Sequence, residues 1–202
     1  STLPISGLAK NSIRPEKFIG IHFFSPVHKM KLVEIIKGEK TNDETIAKAF
    51  DYVLQIRKIP IVVNDSRGFY TSRVFSTYTN EGLALLAEGN HPQEIETAGK
   101  KAGMPVGPLA VIDEINLGLV SQIRKQTRKD LATEGKELPL IPADQVIDLM
   151  TEKINRLGRA QGGGFYEYPE NGKKYLWPEL QTHFPIAKDP LTQDQMIERI
   201  LF

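Results

Sequence analysis

Three short apolar runs, all in the first third of the chain, constrain its fold more than any other feature. Phe18-Ile19-Gly20-Ile21-His22-Phe23-Phe24 is stopped by Ser25-Pro26. Lys31-Leu32-Val33-Glu34-Ile35-Ile36 is closed by Gly38, and Ile59-Pro60-Ile61-Val62-Val63 is rich in β-branched residues. Runs of this length and texture read as buried strands. Between the second and third, Ile46, Ala49, Phe50, Val53 and Leu54 fall at i, i+3, i+4, i+7 and i+8, the spacing of an amphipathic helix. Thr41 and Glu44 ahead of it read as a capping box. Strand, strand, helix, strand is α/β material. Three strands are few for a sheet buried on both faces, so the rest of the sheet is expected upstream of Ser1.

After Asn64-Asp65 the period changes. Phe75, Tyr78, Gly82, Leu85 and Leu86 keep helical spacing to about residue 88. Pro92 sits where a helix would begin and Gly103 where it would end. Asp113 reads as the cap of a long helix with Ile115, Leu119 and Ile123 on one face. A polar stretch at 133–139 precedes another helix near 143–157, marked by Val146, Leu149, Met150 and Leu157. The chain therefore divides near residues 64–67 into an α/β part and a mainly helical part. Aromatic runs at 165–168 and 173–177, on either side of Pro169-Glu170-Asn171-Gly172, read as a hairpin. Pro178, Pro185 and Pro190 imply irregular chain before a final helix.

Composition bounds the function. Of 202 residues, 26 are Lys or Arg and 25 are Asp or Glu, for a net charge of +1. That balance argues against a nucleic-acid partner, because such domains concentrate basic charge. The absence of cysteine removes disulfides, thiolate catalysis and iron–sulfur clusters, and fits a reducing compartment, so a cytoplasmic location is expected. No apolar run approaches the ~20 residues of a membrane span. Ser1-Thr2-Leu3-Pro4 has no basic or apolar segment of a signal peptide. It reads like a cut within a longer polypeptide, and the amphipathic ending Met196–Phe202, without a glycine stop, reads the same way.

Four histidines are candidates for chemistry. His22 lies inside the most apolar run. It can be a core histidine with one satisfied hydrogen bond, or it can have a charged partner. Short connections make neighbouring strands adjacent, so Glu34, near the middle of the next run, could meet it. A carboxylate beside an imidazole fixes its tautomer and stabilises the imidazolium, the pairing used in general acid–base catalysis. Glu34 could equally be a surface charge on an edge strand. His22 and His28 lack a third ligand, so no metal is expected. His91, before Pro92, reads as a helix cap, and His183 as a surface residue. Lys29, Lys31 and Lys37 could attract an anion or simply be solvated. Gly162-Gly163-Gly164 follows a helix and leads into aromatic residues. That is the wrong context for a phosphate-cradling loop, so it reads as a helix stop and a close backbone approach. Tyr166, Tyr168, Tyr175 and Trp177 read as a small satellite core.

Four ordered motifs carry a resemblance that runs from residue 1 to about 168. They are Phe18–Val27 with Met30–Ile36, Asp65-Ser66-Arg67-Gly68-Phe69 with Arg73, Gly103–Pro108, and Gly164–Tyr168. Together they resemble the L-3-hydroxyacyl-CoA dehydrogenase family, in particular the dehydrogenase parts of multifunctional fatty-acid oxidation enzymes. In that family a His–Phe–Phe–Asn/Ser–Pro–Val run is followed by a Glu at the spacing that separates His22 from Glu34. The resemblance makes His22 the catalytic acid/base and Glu34 its orienting carboxylate. It places Ser1, Ser25 and Ser72 at substrate-binding positions. Ser25 stands where many members have Asn, and Ser72 where most carry Asn near the substrate carbonyl.

The resemblance implies a fold in two parts. Residues 1–64 would be an α/β remnant, the end of a Rossmann-like NAD-binding domain. Residues 65–202 would be a mainly α-helical 3-hydroxyacyl-CoA dehydrogenase C-terminal domain, of the kind also found at the C-terminus of 6-phosphogluconate dehydrogenase. It implies oxidation of L-3-hydroxyacyl-CoA with NAD in fatty-acid β-oxidation. The family's strand–GxGxxG–helix unit is absent from these residues and is expected upstream, together with a fused hydratase. The 202 residues by themselves are expected to be inactive, with cofactor-binding residues unknown. Two other readings stand beside this one. One is a helical docking module that forms a homodimer and has no chemistry of its own. The other is a related NAD-dependent hydroxyacid dehydrogenase.

Overall fold

The computed structural model describes residues 3–202, which form two compact units, one ending at Ser76 and the other beginning at Thr77. Ser1, a substrate-binding expectation, lies outside the described residues.

The first unit opens with a short helix α1 (Ile5–Ala9) that the sequence pattern did not reveal. Its first amides, Ile5 N and Ser6 N, donate to the Asp65 carboxylate at 2.9 and 2.7 Å. A five-residue helix has little stability of its own, so this distant carboxylate defines it. A 3₁₀ turn (Pro15–Lys17) leads into β1 (Gly20–Phe23). Then follow β2 (Leu32–Lys37), α2 (Asp43–Gln55) and β3 (Ile59–Asn64). The sheet order is β1-β2-β3, with β2 antiparallel to β1 and parallel to β3. As the middle strand, β2 buries Val33, Glu34, Ile35 and Ile36. Val33 and Ile35 pack against Ala49 and Val53 of α2, the inward face of the expected helix.

The expected Thr41–Glu44 capping box does not form. Asn42 caps α2 instead, its side chain accepting from Thr45 N at 2.9 Å. Thr41 is buried one residue earlier. Its hydroxyl accepts from Gly38 N and donates to Phe18 O, tying the end of β2 to the approach of β1.

The second unit holds most of α3 (Thr71–Ala87), then α4 (Pro92–Lys101), α5 (Pro108–Ile115) and α6 (Leu117–Thr133). Next come α7 (Pro142–Asp148), which runs on as a π-helical turn (Leu149–Lys153), and a hairpin of β4 (Tyr166–Glu167) and β5 (Tyr175–Leu176). The turn α8 (Leu180–His183) and α9 (Gln193–Leu201) complete it. The core joins Leu83, Leu86, Ile95, Leu109, Ile147, Met150 and Phe165. Tyr166 and Trp177 belong to this main core rather than to a satellite.

The single long helix expected from Asp113 is two helices. Asn116, at φ 88°, breaks the chain between α5 and α6, and its side chain caps α6 by accepting from Leu119 N. The stripe of Ile115, Leu119 and Ile123 is 37–47% exposed instead of packed inward. Among the described residues, no helix is long and apolar enough to cross a membrane.

Candidate active site

Adjacency of β1 and β2 brings the first site together. Their antiparallel register sets His22 directly opposite Glu34, and directly opposed residues project from the same face. His22 Nδ1 lies 2.7 Å from Glu34 Oε2. An ionised carboxylate only accepts, so the proton of this bond sits on Nδ1 and Nε2 keeps its lone pair. The Glu34 side chain is fully buried, whereas that of His22 is 19% exposed. The pair is therefore a shielded charge with one reachable nitrogen. The imidazole is flanked by the rings of Phe24 and Phe69, with centroids 4.7 and 5.8 Å away.

The second oxygen of Glu34 is held by backbone. Tyr70 N and Thr71 N donate to Oε1 at 3.1 and 2.8 Å. These amides stand at the start of α3, where the helix has unsatisfied donors and positive dipole charge. The turn before them aims them. Gly68 and Phe69 adopt left-handed backbone, at φ 77° and 46°, and Phe69 N bonds back to Ser66 O. Glycine takes φ 77° without strain, which accounts for Gly68 in Asp65–Phe69. Burial pushes the Glu34 carboxyl up. Hydrogen bonds from His22, Thr71 and Tyr70 outweigh that and hold it below the ordinary value of 4.5. Glu34 is thus kept ionised, ready to balance positive charge on His22.

The remaining candidates are dispersed. Ser25 is exposed at a cis peptide bond to Pro26. Ser72 is half-buried in the first turn of α3, where its carbonyl accepts from Ser76 Oγ. Neither hydroxyl bonds to His22 or Glu34. His28 and the loop around it are exposed, and Lys58 Nζ fastens that loop through Val27 O and Met30 O. His91 caps α4 by accepting from Gln93 N, and the exposed His183 stacks on Trp177. The Tyr70 and Thr71 amides are not legible from residue types, because a backbone N–H carries no residue signature. The Gly-Phe turn ahead of a helix was the only available hint.

Three further carboxylates, Glu96, Asp113 and Asp144, are buried in the second unit and serve structure. Asp113 accepts from Phe165 N and Tyr166 N, both at 2.9 Å, and from Tyr168 Oη at 3.1 Å. Burial nevertheless pushes its carboxyl up to about 6, the hydrogen bonds and Arg156 only partly offsetting it. Glu96 of α4 caps α5 through Leu109 N and Ala110 N and accepts from Tyr166 Oη. A Cβ at Gly164 would lie 2.0 Å from Asp113 Oδ1, and one at Gly107 would lie 2.4 Å from the Glu96 carboxylate. The glycines of the last two sequence motifs thus make room for buried carboxylates.

Comparison with known proteins accounts for both units. The NAD binding domain of 3-hydroxyacyl-CoA dehydrogenase matches residues 1–66, and the C-terminal domain of the same enzyme matches residues 68–168. This chain belongs to the 3-hydroxyacyl-CoA dehydrogenase family. It is 40% identical to the fatty acid oxidation complex subunit alpha of Shewanella baltica over 86% of its own length, but spans only 24% of that protein. Among solved structures, (S)-3-hydroxybutyryl-CoA dehydrogenase from Ralstonia eutropha superposes with a TM-score of 0.72 at 34% identity, over 84% of this chain and 59% of that one. The Escherichia coli 3-hydroxybutyryl-CoA dehydrogenase gives 0.71 at 28% identity, over 86% of this chain and 36% of that one.

The family implies NAD. The described residues do not supply its pyrophosphate site, which needs a strand, a glycine turn and a helix N-terminus. The strand-to-helix connections β2 to α2 and β3 to α3 carry a single glycine each; in the first the Gly38 and Thr45 amides are taken by Thr41 and Asn42, and in the second the Tyr70 and Thr71 amides are taken by Glu34. Gly163 and Gly164 are closed off by Arg156 and Asp113.

Proposed function

We propose that these residues supply the proton-handling part of an L-3-hydroxyacyl-CoA dehydrogenase. The observation that carries this reading is the 2.7 Å bond from His22 Nδ1 to a fully buried Glu34. His22 Nε2 takes the proton of the substrate 3-hydroxyl as the C3–H bond breaks. Glu34 balances the imidazolium, and the reverse reaction returns the proton to the 3-oxo oxygen. In this reading Ser72, in the helix turn next to the amides that hold Glu34, and Ser25, three residues beyond His22, bind the substrate. Ser1 has the same role by family resemblance. Hydride acceptance by NAD needs a glycine turn that these residues do not contain, so they complete only the acid–base half.

The finer parts of the reading are a cytoplasmic, multifunctional fatty-acid oxidation enzyme and a homodimer formed through the helical unit. The exposed Leu119 and Ile123 on α6 favour the dimer. The test is oxidation of 3-hydroxyacyl-CoA by the polypeptide that carries this chain, with His22→Ala beside it. Loss of a general base lowers turnover by roughly 10²–10⁴. An unchanged rate removes His22 from the mechanism.

A further inference from the structure

Glu34 accepts three hydrogen bonds, two on Oε1 from Tyr70 N and Thr71 N and one on Oε2 from His22. An ionised carboxylate offers about four acceptor positions, so one remains on Oε2. Thr71 carries a donor with no acceptor. The Thr71 hydroxyl oxygen is shut off from solvent and has no hydrogen-bond partner. It is close enough to favour the ionised form of Glu34. Buried donors are almost always satisfied, and threonine in a helix divides between two χ1 rotamers, so a small rotation can close the contact.

We propose that Thr71 is a positioning residue of the His22–Glu34 pair, its hydroxyl donating to Glu34 Oε2 so that the carboxylate keeps one orientation toward the imidazole. The main-chain N–H of Thr71 already holds Oε1. One residue then grips both oxygens, and the carboxylate cannot turn about its own axis. The surroundings leave this role to Thr71. From β1 the titratable group on Glu34 is His22, and β3 sets apolar Ile61 opposite Glu34. The nearby cations Lys31 and Arg73 are exposed to solvent. The contribution to turnover rests on the dehydrogenase reading above, but the contact itself does not.

The test follows the Glu34 side-chain carboxyl carbon by NMR through a pH titration, in the unsubstituted chain and in Thr71→Val and Thr71→Ser. Valine keeps the shape and the main-chain donor but removes the hydroxyl. The Glu34 midpoint should then rise by about 0.5–1 pH unit in Thr71→Val and return in Thr71→Ser. Equal midpoints in a folded Thr71→Val would overturn the proposal. So would a serine variant that behaves like valine. If Thr71→Val does not fold, the unsubstituted chain decides the question. A slowly exchanging Thr71 hydroxyl proton supports the contact, and a freely exchanging one refutes it. In the active polypeptide, Thr71→Val should lower kcat several-fold with KM unchanged, and Thr71→Ser should recover it. A polypeptide without dehydrogenase activity would defeat the functional reading while leaving the NMR result standing.

Discussion

Thr71 N donates to Glu34 Oε1 at 2.8 Å, so the carboxylate that faces His22 from the sheet is also the cap of helix α3. Replacing Glu34 by glutamine separates these two duties. The Gln oxygen can still accept from the α3 amides. Its NH₂ must then point at His22 Nδ1, which forces the imidazole proton onto Nε2. That is the wrong tautomer for accepting a proton from substrate. Glu34→Gln should therefore lower turnover by roughly 10²–10⁴ while the chain stays folded. Nitrogen NMR of the imidazole reads the tautomer directly. A variant that keeps Nδ1 protonated and loses activity would contradict this account.

The two titrations with the clearest structural causes, Glu34 and Asp113, pull stability in opposite directions with pH. Burial raises the Glu34 carboxyl, but bonds from His22, Thr71 and Tyr70 hold it below 4.5. Its stabilisation is present above 4.5 and is lost as pH falls through its folded value. Burial raises Asp113 from 3.8 to about 6. Its contribution is complete below 3.8 and is lost as pH rises through about 6. Thermal unfolding of the chain against Asp113→Asn should show the difference in stability falling between these limits by up to roughly 3 kcal/mol. A difference that is flat with pH would mean that Asp113 titrates normally.

How much of this was legible follows from the range of the interactions. β1, β2 and β3 could be read to within two residues, because their apolar runs and spacing are local. Adjacency of two consecutive strands made a meeting of His22 and Glu34 foreseeable. Wherever a side chain is claimed by a distant partner, local reading failed. Asp113 looks like a cap, yet it accepts from Phe165 and Tyr166, more than fifty residues away. Helix α1 was invisible because Asp65 organises its first turn across sixty residues. Thr41 looked like a cap until Gly38 and Phe18 claimed its hydroxyl.

Gly164 tests the same long-range tie. Alanine there would bring a methyl to 2.0 Å from Asp113 Oδ1, and the carboxylate cannot retreat without releasing Phe165 N and Tyr166 N. Gly164→Ala should cost at least about 3 kcal/mol, more than ordinary overpacking because it also breaks buried hydrogen bonds. Gly162 is different. It sits at φ 95° with open space around its Cβ, so alanine there meets only backbone strain. Chemical denaturation should therefore rank Gly164→Ala well below Gly162→Ala in stability, and the reverse order would refute the Asp113 tie.

The last prediction concerns α6. Leu119 and Ile123 lie one turn apart on this helix, 47% and 38% exposed, with Ile115 of α5 37% exposed just before them. Solvated apolar side chains at i and i+4 form a stripe suited to another helix, and a two-fold contact is the usual way for identical chains to cover one. The charge of α6 lies elsewhere. Arg124 and Arg128 are drawn to Asp144, and Lys125 to Glu152, so three of the four cations of α6 are already paired. The chain should then associate at high concentration, and Leu119→Glu with Ile123→Glu should shift it to monomer without lowering its melting temperature, because neither side chain is in the core. Sedimentation velocity over a hundredfold concentration range reads the outcome. Association that survives both substitutions would move the interface to another face, and a chain that stays monomeric throughout would remove the dimer.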